Sequence, residues 1–433
     1  MKYFGTDGIR GKFGDFPVNE FCVNILAQAL EQFHSGLRRI IIGRDTRLSG
    51  EAIKNFLIAG FSSTVEIMEA GIITSPLLSR AVDDTKSDFG LMITASHNSS
   101  EDNGVKVFDH LGAKLSQENE LKIESLMDEI PDVAKYTGHK IMGYRPKVHY
   151  VIDGKVFKNF PKVVIDCANG AAVTFAKESY HFQTIKWLGD CPNGQNINGH
   201  CGSEHPELLI QAVHETHADL GIAHDGDGDR LLLCDREGNI LPGEIILGTI
   251  AIYLQEVGRL KERSIVTTLM SNEGLRISLK DYGIGVIDAE VGDRNVADRM
   301  RELGCNLGGE SSGHILFLDE APTSDGIQTA LLFLRALSFL KLTPEYLSHL
   351  IKLLPKKSCN IPVSEKVPLE NLHNLQQAIQ KEREKVGQSG KIFIRYSGTE
   401  PKLRLLIEAE TEPLVEDVMK NLKNSIARCK EFI

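Results

Sequence analysis

Long apolar runs are missing from this chain. No stretch approaches the roughly 18 uninterrupted apolar residues of a membrane helix, and the opening MKYFGTDGIRG has no apolar core of the kind that marks a secretory leader. The eight cysteines, at 22, 167, 191, 201, 234, 305, 359 and 429, include no C-x-x-C pair, which suits reduced thiols in a large cytosolic chain. A basic excess is absent too. The formal charge of -10 argues against a nucleic-acid or anionic-membrane surface, since those partners need a basic footprint. No G-x-x-x-x-G-K-S/T occurs, so the chain is not a P-loop nucleotide enzyme. A cytoplasmic protein with no nucleic-acid and no membrane partner is expected.

At 433 residues, with 42% hydrophobic and 25% charged residues, the chain has ordinary globular composition. The soft prior of about 150 residues per domain suggests roughly three domains. Apolar spacing predicts a helix over 17–33, a strand at Ile40–Ile42, a helix over 51–61, a strand over 64–68, a helix after Pro76 and a strand over 89–93. Such alternation implies a largely parallel sheet covered by helices. The pattern restarts at Lys162 and again at Gly243. From Lys356 it changes to strand, helix, strand, turn, strand, helix, an α+β order with antiparallel pairing. The fold class expected is therefore α/β, with three similar mixed α/β three-layer domains (1–150, 151–255, 256–355) and a smaller α+β domain (356–433). The active site is expected in the central cleft.

The chemistry gathers in ITASHNSSEDNGVKVF, residues 93–108. An apolar strand delivers a polar segment at its C-terminal end, where ligands bind in open α/β sheets. Ser96 stands there as a potential nucleophile, and the Asn103-Gly104 pair is expected to turn the chain so that Lys106 returns towards it. Taken alone, Ser96 is more readily read as a loop hydroxyl bonded to its own backbone, as most loop serines are. The segment is not G-x-S-x-G, so it is no hydrolase nucleophile elbow.

Asp225-Gly-Asp-Gly-Asp229-Arg230 places three carboxylates within five residues, which repel unless a cation binds or they splay into water. An EF-hand needs Gly at loop position six and Glu at twelve. Those positions hold Arg230 and Arg236, so a hard, oxygen-liganded ion such as magnesium fits better, with an exposed acidic turn as the alternative. Arg395-Tyr-Ser-Gly-Thr-Glu-Pro401 could surround an anion with hydroxyls, backbone N–H groups and a guanidinium, or be an ordinary hairpin turn. Gly308-Gly-Glu-Ser-Ser-Gly-His314 offers a carboxylate and hydroxyls suited to sugar hydroxyls, or is again an ordinary turn. Cys191, His200, Cys201 and His205 match no zinc template.

FGTDGIRG, ITASHN with DNGVK, DGDGDR, GGESSGH and RYSGTEP, in that order, resemble the motifs of the α-D-phosphohexomutases over essentially the whole chain. KYFGTDGIRG, NIN before CGSEHPE, LMSNEGL and VGDRNV resemble the bacterial phosphoglucosamine mutase branch. The resemblance implies that Ser96 carries a phosphoryl group and that Asp225, Asp227, Asp229 and the phosphorylated Ser96 hold Mg2+. It places Arg10, His97, Lys106 and Arg230 around the transferring phosphate, with Lys106 as acid/base. It assigns Glu310 and Ser312 to sugar hydroxyls, Asp293 and Arg294 to substrate, and Arg395, Ser397, Gly398 and Thr399 to the other phosphate. The implied reaction interconverts glucosamine 6-phosphate and glucosamine 1-phosphate through phosphoserine and glucosamine 1,6-bisphosphate, by a monomer or homodimer acting on a phosphohexosamine. A phosphomannomutase or phosphoglucomutase, a magnesium-dependent sugar phosphatase and a silent binding protein are the alternatives. Ser99, Asn295 and Ser311 depart from the family pattern, Ser311 in the sugar loop.

Overall fold

The computed structural model describes residues 2–148, 150, 156–387, 389–397 and 401–429. By internal contacts the chain forms two compact units, Met1–Leu269 with Ile287–Tyr346, and Met270–Val286 with Leu347–Ile433.

In the first unit, β1 (Ile9–Lys12), β2 (Arg39–Arg44), β3 (Glu66–Ile72), β4 (Phe89–Ile93), β5 (Asp102–Phe108) and β6 (Ile141–Gly143) form one sheet. Its order is β1-β5-β4-β2-β3-β6. All five residues of β4 are buried, as a central strand covered on both faces requires. Helix Glu20–Phe33 packs Ile25, Leu26, Ala29 and Leu30 on this core. Its cap residue Asn19 accepts from the Cys22 N–H at 2.9 Å, satisfying one of the helix's orphan donors.

The sheet is mixed rather than largely parallel, because β5 runs antiparallel to both β4 and β1. The expected turn at Asn103-Gly104 is corrected by this arrangement. Both residues lie inside β5, and the chain reverses before them, across 97–101. Gly104 is needed for close approach instead: a Cβ there would stand 2.0 Å from the Ile9 carbonyl oxygen.

A second sheet of β7 (Lys162–Asp166), β8 (Thr184–Leu188), β9 (Leu220–Ala223), β10 (Leu232–Asp235) and β11 (Ile240–Leu241) has the order β11-β10-β9-β7-β8. The third comprises β12 (Ser264–Thr268), β13 (Gly285–Ala289), β14 (Leu307–Gly309) and β15 (Ile315–Phe317), in the order β13-β12-β14-β15. Parallel pairing of β7 with both β8 and β9 puts the C-terminal end of β9, and the acidic loop after it, at one edge of that sheet. No single helix among the described residues is long and apolar enough to cross a membrane.

The second unit holds β16 (Lys356–Pro362), β17 (Lys391–Tyr396) and β18 (Lys402–Glu408) as an antiparallel sheet, β16-β18-β17. Helices His373–Val386 and Glu412–Ile426 pack Leu375, Ile379, Val415, Val418 and Leu422 against it. A short 3-10 turn at Leu369–Asn371 precedes the first.

Candidate active site

Beyond β4 the chain enters a buried polar corner. Thr94 Oγ1 donates to Asp45 Oδ2 at 2.7 Å and accepts from the Ser96 N–H at 2.8 Å. Ser96 is 1% exposed, and its backbone is left-handed, with φ of +52°. That conformation is costly for a residue bearing a Cβ and persists only where its surroundings impose it. Its hydroxyl donates to Asp225 Oδ2 at 2.7 Å.

The partner carboxylate comes from the loop between β9 and β10. Asp225, Asp227 and Asp229 are all essentially buried, and one oxygen from each lies within 4.8 Å of the others. Glycine spacing permits this, since a Cβ on Gly226 would stand 2.5 Å from the Ser96 carbonyl oxygen and Gly228 has φ of +75°. Burial and the charges of Asp229 and Asp227 push the Asp225 carboxyl up to about 7. Asp227 Oδ1 is buried with no hydrogen-bond partner. An orphaned anionic oxygen in an all-oxygen cluster suits a hard divalent cation such as magnesium.

Cations surround the cluster. Lys106 Nζ, on β5, lies 2.7 Å from Asp227, 2.9 Å from Asp229 and 2.9 Å from Asp7. Burial opposes its charge, but the three carboxylates outweigh burial and hold the ammonium well above the usual lysine range. Arg10, on β1, pairs with Asp7 at 2.5 Å and stands 3.5 Å from the Ala95 carbonyl. His97 Nδ1 is 3.4 Å from the Ser96 hydroxyl. Burial, reinforced by the Arg230 charge, lowers the His97 pKa to about 4, so the ring is neutral near pH 7.

Arg230 pairs with Glu204, and its Nε stands 3.2 Å from His314 Nε2. That same imidazole nitrogen lies 3.2 Å from Asp229 Oδ1, and it cannot both accept from Arg230 and donate to Asp229. Burial lowers the His314 pKa, but Asp229 outweighs it and lifts it to about 10. The ring is therefore an imidazolium facing Asp229, and its approach to Arg230 is a contact of two cations held by the surrounding carboxylates.

The third sheet brings Glu310 and Ser312 to the same side. Glu310 Oε1 accepts from the Gly292 N–H at 2.9 Å, and the exposed Ser312 hydroxyl lies 3.0 Å from His314 Nδ1. Asp293 and Arg294 both have protein partners, and Asp293 lies beside Asp229 and His314. Asp293 pairs with Lys114 at 2.8 Å, while Arg294 donates to Glu120 at 2.5 Å and to the Leu115 carbonyl at 3.2 Å. Gly309–Gly313 fits G-x-S-x-G, but it joins antiparallel β14 and β15 rather than a strand and a helix, so it is no nucleophile elbow.

In the second unit Arg395, next to last in β17, stands opposite Arg404 on β18. Ser397 is 2% exposed, and its hydroxyl accepts from Arg404 Nη2 at 3.2 Å. Gly398 and Thr399 lie outside the described residues.

Asp7, His314, Lys114, Ser75, Arg47 and Asn198 were not singled out by the sequence. Asp7 and His314 sit inside motifs that were, so position within FGTDGIRG and GGESSGH was the available signal. Ser75 donates to Asp227; nothing in its sequence context marks it. Among the described residues the metal-capable groups are the three aspartates and Asp229 with Asp293 and His314. The Cys191 cluster is in neither, and Lys114 already neutralises Asp293 in the second.

Models of the phosphoglucomutase/phosphomannomutase family match in sequence: α/β/α domain I over residues 1–133, domain II over 148–238, domain III over 242–357 and the C-terminal domain over 359–425. A phosphoglucosamine mutase of Maricaulis maris is 38% identical over 445 residues, covering 98% of each chain. One from Nitratiruptor sp. is 38% identical over 439 residues, again with 98% of each covered. Among solved structures, a phosphoglucomutase/phosphomannomutase family protein from Burkholderia thailandensis superposes with a TM-score of 0.82 at 21% identity, covering 99% of this chain and 98% of that one. With full-length relatives at this identity, the chain belongs to the phosphoglucosamine mutase branch of the phosphoglucomutase/phosphomannomutase family of isomerases.

Proposed function

We propose that the protein interconverts glucosamine 6-phosphate and glucosamine 1-phosphate, with Ser96 as the residue that carries the phosphoryl group. The observation that carries this reading is the Ser96 hydroxyl, 2.7 Å from Asp225 in a buried three-aspartate cluster ringed by Lys106, Arg10 and Arg230. The names of the full-length relatives support the amino sugar over glucose or mannose phosphate.

In the forward half-reaction the bond between phosphorus and Ser96 Oγ breaks as a bond to the free sugar hydroxyl forms, giving a 1,6-bisphosphate. The bisphosphate reorients, and its other phosphate returns to Ser96. Phosphoserine adds a charge of about -1.5 to -2 beside three carboxylates. Asp225, Asp227 and Asp229 would hold a divalent ion, which would supply compensating positive charge there. Lys106, held as an ammonium, is suited to give a proton to the departing Ser96 oxygen and to regain one from the attacking sugar hydroxyl, and Arg10 and Arg230 offset charge on the transferring group. Glu310 and Ser312 are assigned to sugar hydroxyls, and Arg395 and Ser397, with Gly398 and Thr399, to the phosphate that is not transferring. The division into four domains at 150, 255 and 355 and a cytoplasmic location belong to the same reading.

The test compares kcat/KM for glucosamine 6-phosphate, glucose 6-phosphate and mannose 6-phosphate, with magnesium and a trace of 1,6-bisphosphate, against Ser96→Ala. Preference for the amino sugar, abolished in Ser96→Ala, is expected. Preference for glucose or mannose phosphate overturns the substrate, and release of free phosphate in place of isomerisation overturns the mutase reading. A Lys106→Ala enzyme with near-normal kcat removes the lysine from proton transfer, which typically contributes about 10²–10⁴-fold.

A further inference from the structure

We infer that Arg47 and Asn198 form a two-sided clasp on the backbone of the serine loop and are positioning residues for phosphoryl transfer, an inference that rests on Ser96 being the phosphoryl carrier.

Arg47 is among the most deeply buried large side chains of the molecule, and its guanidinium is 0% exposed. A guanidinium has five N–H donors in a fixed plane, and here every one has an acceptor. Nε donates to Asp45 Oδ2 at 2.9 Å. Nη1 donates to the Asp102 carbonyl at 2.8 Å and to that of Ser99. Nη2 donates to the carbonyls of Ser96 at 3.1 Å and Asn98 at 2.8 Å. Four carbonyls of residues 96–102 thus converge on one buried cation. Its own counter-charge, Asp45, is bonded to Thr94, which in turn accepts from the Ser96 N–H.

Asn198 approaches from the second sheet's side. Its Nδ2 donates to the Ser96 carbonyl at 2.8 Å and the Asn98 carbonyl at 2.9 Å, two of the four that Arg47 holds. Asn198 is itself left-handed, with φ of +55°, and its N–H donates to the Ala168 carbonyl at 2.8 Å. The loops bearing the two residues are tied together. Thr46 Oγ1 donates to the Asn169 carbonyl at 2.6 Å, and the Leu48 N–H to that of Gly194 at 2.9 Å.

The clasp therefore spans the first and second sheets and closes on the carbonyl of the nucleophile. It explains how Ser96 keeps a left-handed backbone and an Oγ aimed at Asp225 while its hydroxyl gains and loses a dianionic group. It also gives the Asn- and Gly-rich segment 191–201 a role that its cysteines and histidines do not. Neither residue touches the reacting atoms, so their effect passes through Ser96, where a misplacement of about 1 Å costs roughly 100-fold in rate.

The experiment uses the full-length protein with magnesium. It measures kcat, KM and the rate at which a sugar 1,6-bisphosphate phosphorylates Ser96, read by intact mass, in wild type, Arg47→Lys, Asn198→Ala and Ser96→Ala. Lysine has three donors and cannot reach all four carbonyls, so Arg47→Lys is not a rescue. Arg47→Lys and Asn198→Ala are expected to slow phosphorylation and lower kcat by roughly 10- to 100-fold with KM within about threefold of wild type. A purely structural role would scale phosphorylation with the fraction folded, leaving the folded population at the wild-type rate. Should Arg47→Lys fail to fold, Asn198→Ala, which strips two hydrogen bonds without orphaning a buried charge, decides alone. Wild-type phosphorylation and kcat in folded Asn198→Ala overturn the clasp while Ser96→Ala remains inert. Phosphorylation or turnover surviving in Ser96→Ala overturns the carrier assignment instead.

Discussion

Lys114 and Asp293 form an ion pair at 2.8 Å with side chains only 10% and 9% exposed, and the same ammonium lies 2.8 Å from Asp7 Oδ1. Asp7 also meets Lys106 and Arg10, so one lysine connects helix Asp293–Leu303 to the site's charge network. Removing one member of a buried pair strands the others, which costs about 3–5 kcal/mol. Lys114→Met is expected to lose stability of that order in urea denaturation, and the further change Asp293→Asn to recover part of it. Burial works against the charge of Asp293, yet Lys114 outweighs it and keeps the carboxyl below its ordinary value of 3.8. The contribution is therefore fully present above pH about 4 and fades as the pH falls through the lower folded value. A Lys114→Met loss below 1 kcal/mol would show that the network closes without it.

Three buried carboxylates with an unpartnered oxygen at Asp227 store repulsion that a divalent ion relieves. Magnesium at 100 times its Kd is expected to stabilise the protein by about 2.7 kcal/mol, read as a rise in melting temperature. Asp227→Ala should show no rise. Asp225 holds its proton up to about 7, and a carboxylate must be deprotonated to ligate. Affinity should accordingly weaken as pH falls below 7 and level off above it, which titration calorimetry at pH 6 and 8 would measure. Equal affinity at the two pH values would contradict the assignment of Asp225 as a ligand.

Gly104 is expected to tolerate no side chain. A Cβ there would lie 2.0 Å from the Ile9 carbonyl oxygen and 2.9 Å from that of Thr94, both backbone atoms that cannot swing away. Gly104→Ala should separate β1 from β5, displace Arg10, and cost about 1–3 kcal/mol as overpacking does, with kcat falling along with stability. A variant of wild-type stability and activity would mean that β1 is not held where the pairing register puts it.

The same glycine marks the boundary of what the sequence could disclose. Asn-Gly is a strong local turn signal, and it misleads here because a tertiary contact, β1 lying across β5, is what demands the missing side chain. The strand Phe89–Ile93 was legible from its unbroken apolar run, and the acidic loop from its spacing alone. Helix Gly326–Leu340 was not, since it is buried nearly all round and shows no polar face to fix a period. Arg47 looked like any other charge in GRDTRLSG. Only the fold shows that four carbonyls, 49 to 55 residues further along, take four of its five donors.

Arg395 carries the last prediction. It stands cross-strand from Arg404 at the mouth of the β17–β18 hairpin, and Arg404 already leans on the Ser397 hydroxyl. Like charges placed directly opposite on a sheet destabilise it, so two facing guanidiniums make sense where an anion regularly lies between them, as a sugar phosphate would. A charge-assisted hydrogen bond is worth about 1.5–3 kcal/mol. Arg395→Ala should therefore raise KM by roughly 10- to 100-fold while leaving Ser96 open to phosphorylation by a bisphosphate at saturating concentration. Steady-state kinetics and intact mass on the same preparation test both halves. An unchanged KM would remove this hairpin from substrate binding, and a lost phosphorylation at saturation would mean that Arg395 acts on the transfer itself rather than on the grip.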